Sequence, residues 1–476
     1  MKMNWNRLLP DGRAGMYQKQ NAGYPDLRSE FEKDYHRIIG SSSFRRLQDK
    51  TQVFALDKSD FIRTRLTHSL EVSSVAKSLG ENISRYILDN GLDPDFTART
   101  QADICDILSC AGLIHDIGNP PFGHFGEEAI RDWFLRRMKR LVYKGRPLQE
   151  VLSPQMLNDF YHFEGNAQAL RQVSKLHFIV NEHGMNLTFA LLDTIIKYPV
   201  SSLEICPGSG DIKTEKMGFF KAEEDLYHRI AEAAGTEGVR HPLTFILEAA
   251  DDIAYKTADI EDAYKKGFLS FRELREELLE AGKKQGGELS IDPVAMLDHQ
   301  LDNARKRGIR EDELYAVQNF LIRLQSRMIY CATYGFTSNY RKIMDGAMKK
   351  DLFAGTHGEW IMEALGDIAF RYAFSSSRIL QMEVAAGTIL DSLLDRFIPA
   401  AIVYDTDQPK TIMQTKHMGL VSGNYRQIYH IYAKRASDEA ERLYLRLLLI
   451  TDFVSGMTDS YAKDLYQKIN GMPEAF

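Results

Sequence analysis

Residues 102–127 read ADICDILSCAGLIHDIGNPPFGHFGE. Apolar residues recur at helical spacing as far as Ile114, which predicts a buried helix. His115 and Asp116 follow at the end of this helix, and the next glycines and prolines predict a tight, irregular loop. A His–Asp pair alone usually means a packed histidine beside a capping aspartate. A metal site at this place therefore requires further ligands from elsewhere in the chain.

The same helical spacing recurs along most of the chain, and Leu, Ala, Glu, Lys and Arg dominate these stretches. Alternating strand patterns are short and few. The best candidates for minor strands are MNLTFALL (185–192) and the segment around AIVYDTD (401–407). We therefore expect an all-α fold, a helical bundle with an additional helical lobe and at most a small β-hairpin.

Composition limits the classes of function. The 476 residues include 60 Lys and Arg against 66 Asp and Glu, a net charge of −6. This balance argues against bulk electrostatic attachment to nucleic acid or anionic lipid. The four cysteines form no CxxC pair, so we expect neither a structural zinc site nor a disulfide framework. Without a secretory leader or a long apolar run, we expect a cytoplasmic protein and no membrane partner.

Two further residues turn the His–Asp pair into a candidate metal site. His68 begins one apolar helical pattern, and Asp251 lies within another, EAADDIAYKTAD. With His115 and Asp116 they offer two imidazoles and two carboxylates, a mixed set that suits several divalent ions without choosing among them. Asp252 is the alternative to Asp251.

A second pattern supports Asp251 over its neighbour. Asp251, Tyr255 and Asp259 follow one another at intervals of four residues, which places them on one face of a helix. Two acids and a phenol within an otherwise apolar helix suggest a functional face. The alternative is a solvated face without a special role.

At these residues the chain resembles the deoxyguanosine triphosphate triphosphohydrolases (dGTPases), a branch of the HD superfamily. The resemblance covers most of the chain, and its motifs occur in the family order. Besides residues 111–130, they are DYHRIIGSSSFRRLQDKTQVF (34–54), SDFIRTRLTHSLEV (59–72), HFEGNAQALR (162–171), LLDTIIKYP (191–199), EAADDIAYKTADIEDA (248–263) and TDFVSGMTDSYA (451–462).

The resemblance implies one dGTPase-like chain over residues 1–476, with an HD metal-binding core at about 60–270 and a helical C-terminal lobe at about 290–476. It implies hydrolysis of a deoxynucleoside triphosphate (dNTP), above all dGTP, to deoxynucleoside and inorganic triphosphate. The divalent ion would be manganese, magnesium or iron. The implied metal ligands are His68, His115, Asp116 and Asp251, and the implied catalytic pair is His124 and Glu127.

The resemblance also implies a set of substrate contacts. Gln52 and Val53 match residues near the sugar and base, Tyr255 would exclude a 2′-hydroxyl, and Asp259 would accept from the 3′-hydroxyl. The residues matched to phosphate contacts are Arg65, His162, Asn166, Lys197, Tyr198 and Lys216. For the base, Glu383 and the arginines from Arg426 to Arg446 are candidates by location only.

Two other functions stay open at this point. One is a related HD phosphohydrolase that acts on a nucleoside monophosphate, a cyclic nucleotide or a guanosine alarmone. The other is a sensor of nucleotides or single-stranded DNA, suggested by the basic run RRMKRLVYKGR (136–146), for which the alternative is a solvated helix face. Family members generally form symmetric oligomers, often hexamers, so a homo-oligomer is expected.

Overall fold

The computed structural model describes residues 3–15, 26–52, 63–177, 182–287 and 289–472. Within these ranges the chain forms 22 α-helices and one hairpin of two-residue strands. The predicted all-α fold is confirmed.

The helices of the first half are α1 (Trp5–Leu8), α2 (Glu30–Ile39), α3 (Ser42–Arg46), α4 (Arg65–Asp89), α5 (Ala98–Ile114), α6 (Gly123–Arg137), α7 (Leu148–Val151), α8 (Pro154–Tyr161), α9 (Gly165–Arg171), α10 (Phe189–Ile195) and α11 (Glu224–Ala234). Those of the second half are α12 (Pro242–Lys265), α13 (Phe271–Gln285), α14 (Pro293–Lys306), α15 (Asp312–Ser338), α16 (Tyr340–Met344), α17 (Glu359–Ala369), α18 (Ser377–Ile402), α19 (Ile412–Leu420), α20 (Gly423–Ala433), α21 (Glu439–Ser455) and α22 (Asp459–Ile469).

The hairpin does not lie at either of the segments for which the sequence pattern predicted minor strands. Its antiparallel strands are β1 (Val142–Tyr143) and β2 (Arg146–Pro147). Residues 185–192 lead into α10, and 401–407 run over the end of α18, so both strand predictions were wrong. Residues 185–195 are buried throughout, and a short run buried on every side carries no periodicity that separates helix from strand.

The apolar core forms two clusters. The first is built largely from α2, α4, α5, α10, α12, α15 and α17, and the second from α6, α8, α18, α20, α21 and α22. Helix α6, which begins at the end of the glycine- and proline-rich loop, thus packs with the C-terminal helices. The predicted division of the chain near residue 290 stays a prediction.

The start of α4 is set by a reciprocal cap. Thr64 Oγ1 accepts a hydrogen bond from the Thr67 N–H, and Thr67 Oγ1 accepts one from the Thr64 N–H. This capping box satisfies two N–H groups that a helix start would otherwise leave free. It also places Arg65 and His68 one turn apart, and both side chains are buried.

A buried ionic cluster joins α9 to α21. The Arg171 guanidinium donates to both carboxylate oxygens of Asp452, each at 2.7 Å, and to Glu223 Oε1 at 2.7 Å. All three side chains are at most 4% exposed. Buried charges of this kind need complete pairing, because an uncompensated ion inside a protein is costly.

We expect Asp452→Ala to lower the free energy of unfolding by about 3–5 kcal/mol, because the buried Arg171 guanidinium then keeps only one of its two carboxylate partners, Glu223. Urea unfolding of the variant measures this loss. Asp464→Ala is the control because Asp464 is exposed on the next helix, and a change within about 0.5 kcal/mol is expected there. Equal free energies of unfolding for the two variants would contradict the proposed contribution of this cluster to stability.

Candidate active site

Three helices bring the candidate metal ligands together. His68 comes from α4, His115 follows α5, and Asp251 lies in α12. One ligand atom from each lies within 4.8 Å of the others. Asp251 Oδ1 is 3.1 Å from His68 Nε2 and 3.3 Å from His115 Nε2. His115 Nδ1 donates to the Gly112 carbonyl at 2.8 Å, which orients the ring so that Nε2 faces Asp251.

Asp116 borders this three-residue cluster. Its Oδ1 lies 3.6 Å from His115 Nε2 and accepts a hydrogen bond from Asn119 Nδ2 at 2.8 Å, while its Oδ2 pairs with the Arg65 guanidinium. The structure thus gathers three predicted ligands closely and holds the fourth beside them. The role of Asp116 as a ligand stays a prediction.

The charges of the cluster suit a cation. Burial opposes ionisation of Asp251, but Lys197 and His115 outweigh it and hold the pKa of Asp251 well below its usual value. Burial also disfavours a charged His115, yet Asp116 and Asp251 outweigh it and raise the pKa of His115. His115 Nε2 is buried and has no hydrogen-bond partner among the described residues. Carboxylates and an unpartnered imidazole nitrogen that converge in this way fit a divalent metal ion.

Two cations lie against the cluster. Lys197 Nζ is 2.9 Å from Asp251 Oδ2, and Arg65 pairs with Asp116. Both side chains are largely buried. Burial disfavours the charged amine, but Asp251 outweighs it and raises the pKa of Lys197, so this lysine stays protonated. A phosphate that enters the site would meet two fixed positive charges beside the metal position.

A second polar group lies around Glu164. This buried carboxylate is 3.1 Å from Lys216 Nζ and accepts from Asn166 Nδ2 at 2.8 Å. Burial raises the pKa of the Tyr198 hydroxyl. Lys216 and Asn166 thus share Glu164 as a partner, whereas Lys197 pairs with Asp251 of the metal cluster.

His124 and Glu127 form a pair in the first turns of α6. His124 Nδ1 is 3.2 Å from Glu127 Oε2, and the other Glu127 oxygen accepts from the Gly165 N–H at 2.9 Å. A Cβ at Gly165 would lie 2.4 Å from that oxygen, so this approach requires glycine. The Glu127 side chain is buried, whereas that of His124 is 68% exposed. The hydrogen bond to Glu127 and the negative charge of that carboxylate raise the pKa of His124.

The face of α12 that carries Tyr255 and Asp259 is not a solvated one. The Tyr255 ring lies edge-on to His68, with centroids 6.5 Å apart. Asp259 is 2% exposed, and neither carboxylate oxygen has a hydrogen-bond partner in the part of the chain that the structure describes. Burial raises the pKa of Asp259 well above its usual value. A buried carboxyl group without a partner is costly, and a ligand hydroxyl would satisfy it.

Comparisons with known proteins agree with this site. The family model of the HD domain matches residues 65–180. The chain is 45% identical to a deoxyguanosinetriphosphate triphosphohydrolase-like protein of Listeria monocytogenes, over 99% of this chain and all of that protein. It is 30% identical to a deoxyguanosinetriphosphate triphosphohydrolase of Serratia proteamaculans, over 93% of this chain and 94% of that protein.

This chain belongs to the deoxyguanosinetriphosphate triphosphohydrolase family. A deoxyguanosinetriphosphate triphosphohydrolase-like protein of Synechocystis is 33% identical to this chain, over 99% of this chain and the whole of that protein. Family and site together make this family member a metal-dependent nucleotide phosphohydrolase. The family resemblance read from the sequence is thereby confirmed.

The other substrate contacts predicted for this family member have fewer described interactions with the metal cluster. Gln52 is half-buried, and its Oε1 has no hydrogen-bond partner among the residues described. Val53 lies outside the described residues. His162 follows α8 and is exposed. Arg446, a candidate for the base, is fully buried over the Tyr143 ring, 5.1 Å from its centroid. All these substrate roles stay predictions.

Sequence reasoning missed four side chains that support the site. Each hydrogen-bonds to the loop before α6 or to a predicted site residue, and they are Lys50, Asn119, Glu164 and Asp459. All four lie inside the family-like motifs, and at Asn119 and Glu164 an amide or acid among apolar residues is a usable signal. Lys50 and Asp459 act across most of the length of the chain, and local spacing carries no sign of that.

The basic run 136–146 is partly neutralised within the chain. Arg136 lies 2.9 Å from Asp391, Arg137 lies 3.2 Å from Asp395, and Lys144 pairs with Glu439. Regulation by single-stranded DNA stays a prediction, as do the homo-oligomer and the cytoplasmic location. None of the described helices combines the length and the apolar character that crossing a bilayer requires.

Proposed function

We propose that this protein hydrolyses deoxynucleoside triphosphates, dGTP first among them, at the α-phosphorus to give the deoxynucleoside and inorganic triphosphate. One observation carries this proposal: three cationic side chains pair with carboxylates of the site, Arg65 with Asp116, Lys197 with Asp251 and Lys216 with Glu164. Several cations suit a polyphosphate better than a monophosphate or a cyclic nucleotide. The names of the relatives from Serratia and Listeria support dGTP.

The residues divide the chemistry among them. A divalent ion held by His68, His115, Asp116 and Asp251 would neutralise phosphate charge and polarise the phosphorus–oxygen bonds. Arg65 and Lys197 bind and orient the phosphates. A bond forms between the water oxygen and the α-phosphorus as the water releases a proton to solvent, and the bond from that phosphorus to the 5′-oxygen breaks. His124 gives its proton to the leaving 5′-oxygen, and Glu127 holds the imidazole in place.

The raised pKa of His124 predicts a pH dependence. The Glu127 carboxylate stabilises the imidazolium, so the proton donor persists to higher pH than in a free histidine. We expect kcat to fall as the pH rises through this raised pKa. In Glu127→Gln the fall should begin at lower pH, because the amide stabilises the imidazolium less. Profiles of kcat against pH that coincide for the two proteins would contradict the role of His124 as the acid.

The position of Tyr255 suggests that this residue selects the sugar. Its ring lies edge-on to His68, and we expect it to contact the 2′ position of a bound nucleotide. We expect Tyr255→Ala to lower the ratio of kcat/KM for dGTP to that for GTP by about 10-fold or more. Tyr264→Ala, near the end of the same helix, should leave this ratio unchanged. An unchanged ratio in Tyr255→Ala would remove Tyr255 from sugar selection.

The proposed function is tested by a panel of the four dNTPs with Mn²⁺, Mg²⁺ or Fe²⁺, with and without single-stranded DNA, and with identification of the first product. Triphosphate and deoxynucleoside are expected, with dGTP turned over fastest. Orthophosphate or pyrophosphate as the direct product would contradict the proposal. Adding a nucleoside monophosphate, a cyclic nucleotide and a guanosine alarmone to the panel tests the alternative HD activities.

A further inference from the structure

Asp459 connects the C-terminal helices to two walls of the candidate active site. It is the first residue of α22 and is 2% exposed. Its Oδ1 accepts a hydrogen bond from the Phe122 N–H at 2.9 Å. Its Oδ2 accepts from the Thr51 N–H at 3.0 Å and from the Thr51 hydroxyl at 2.6 Å. One buried carboxylate thus receives three donors from two distant segments.

The Phe122 contact lies at the start of α6. Phe122 has a φ of 66°, in the left-handed region that a bulky side chain rarely adopts. It is the N-cap of α6, and its own side chain makes no capping hydrogen bond. A strained backbone without a local cap persists only where its surroundings hold it. The Asp459 carboxylate supplies that restraint two residues before His124 and five before Glu127.

Lys50 reinforces the same junction. Its amine donates to the Asn119 carbonyl at 2.6 Å and to the Ser455 carbonyl at 2.8 Å. The Asn119 side chain in turn donates to Asp116. The segment from Ser455 to Asp459 therefore restrains both ends of the loop between the metal cluster and α6.

We propose that Asp459 is a positioning residue for the His124–Glu127 pair and acts through the Phe122 N–H. The inference rests on the proposed function of that pair. Asp459 contacts backbone and a hydroxyl group of the protein, so its effect on turnover passes through the placement of α6. Placement matters because a misplacement of about 1 Å at a catalytic group costs roughly 100-fold in rate.

The test begins with Asp459→Asn, which keeps the size of the side chain. Its amide NH₂ replaces an acceptor and must face either the Phe122 N–H or the Thr51 donors. We expect kcat to fall by about 10–100-fold, with KM and the Mn²⁺ affinity within about 3-fold of the starting protein. Asp464→Asn removes an equal charge from an exposed position of the same helix and is the matched control.

A double-mutant cycle separates positioning from general damage. If Asp459 acts through His124, Asp459→Asn should cost less than about 3-fold in kcat once His124→Ala is present, because the group that it positions is gone. The same loss in both backgrounds would overturn the proposal, and so would an unchanged kcat in the single variant. If Asp459→Asn does not fold, Asp459→Ser takes its place in the cycle, with an expected loss of about 10–100-fold in kcat, because its short side chain no longer reaches the Phe122 N–H.

Hydrogen exchange gives a readout that needs no turnover. In Asp459→Asn we expect faster exchange in peptides that cover residues 119–127, and unchanged exchange in α5. Uniformly faster exchange would indicate global loosening and overturn the local role. If the starting protein releases no triphosphate from any dNTP, the proposed function fails, while the exchange experiment still decides whether Asp459 holds the start of α6.

Discussion

Replacing His124 by alanine should lower kcat by about 10²–10⁴-fold and leave Mn²⁺ binding unchanged. The size of the effect follows from the role of a positioned proton donor in breaking the bond to the 5′-oxygen. His124 is exposed, lies 3.2 Å from a carboxylate oxygen of buried Glu127, and is not one of the residues that gather at the metal cluster. Steady-state rates and a Mn²⁺ titration of the same preparation measure both halves of this prediction.

The control for this variant is His228→Ala. His228 is an exposed histidine of α11 beside Tyr227, and its removal should leave kcat unchanged. An unchanged rate in His124→Ala would remove this histidine from the mechanism. A loss of both turnover and Mn²⁺ affinity would instead assign it to the metal centre.

The second large effect is expected at Asp251. This carboxylate lies between His68 and His115 and also pairs with Lys197. Asp251→Asn removes the negative charge that all three share, so the site loses affinity for a divalent ion and Lys197 loses its buried partner. We expect kcat/KM to fall on the order of 10³-fold or more, which corresponds to several kcal/mol of charge stabilisation in the transition state.

Asp252→Asn is the matched control for that variant. Asp252 is adjacent in the chain but is not part of the three-residue cluster, and burial raises its pKa to about 7. Its replacement should change kcat/KM by less than about 3-fold. Metal content and Mn²⁺ titration of both variants decide between the two carboxylates, and loss of metal from Asp252→Asn alone would reverse the assignment.

Much of the fold could be predicted because its signals are local. The helical spacing predicted a helix from His68 onward, and α4 begins three residues earlier, at Arg65, with its cap at Thr64 and Thr67. The minor strands failed because the run around α10 is buried on every side and carries no readable period. The hairpin that does form turns at Lys144 and Gly145, both at positive φ, within a stretch interpreted only for its charge.

The same distinction between local patterns and long-range contacts applies to the candidate site. Spacing within one helix favoured Asp251 over Asp252, and the structure places Asp251 with the two histidines. The contacts of Asp459 with Thr51 and of Lys50 with Ser455 each join residues about 400 positions apart. Local sequence patterns do not predict such contacts, because the contacts depend on how α21 and α22 pack against the loop before α6. The supporting contacts of the site therefore came from the structure alone.

Hydrolysis of dGTP in ¹⁸O-labelled water with Mn²⁺ tests attack at the α-phosphorus most directly. We predict that one ¹⁸O atom enters the inorganic triphosphate, at a terminal phosphorus, and that the 5′-hydroxyl of deoxyguanosine carries none. Label in the deoxyguanosine, or labelled orthophosphate or pyrophosphate as the first product, would contradict attack at this position.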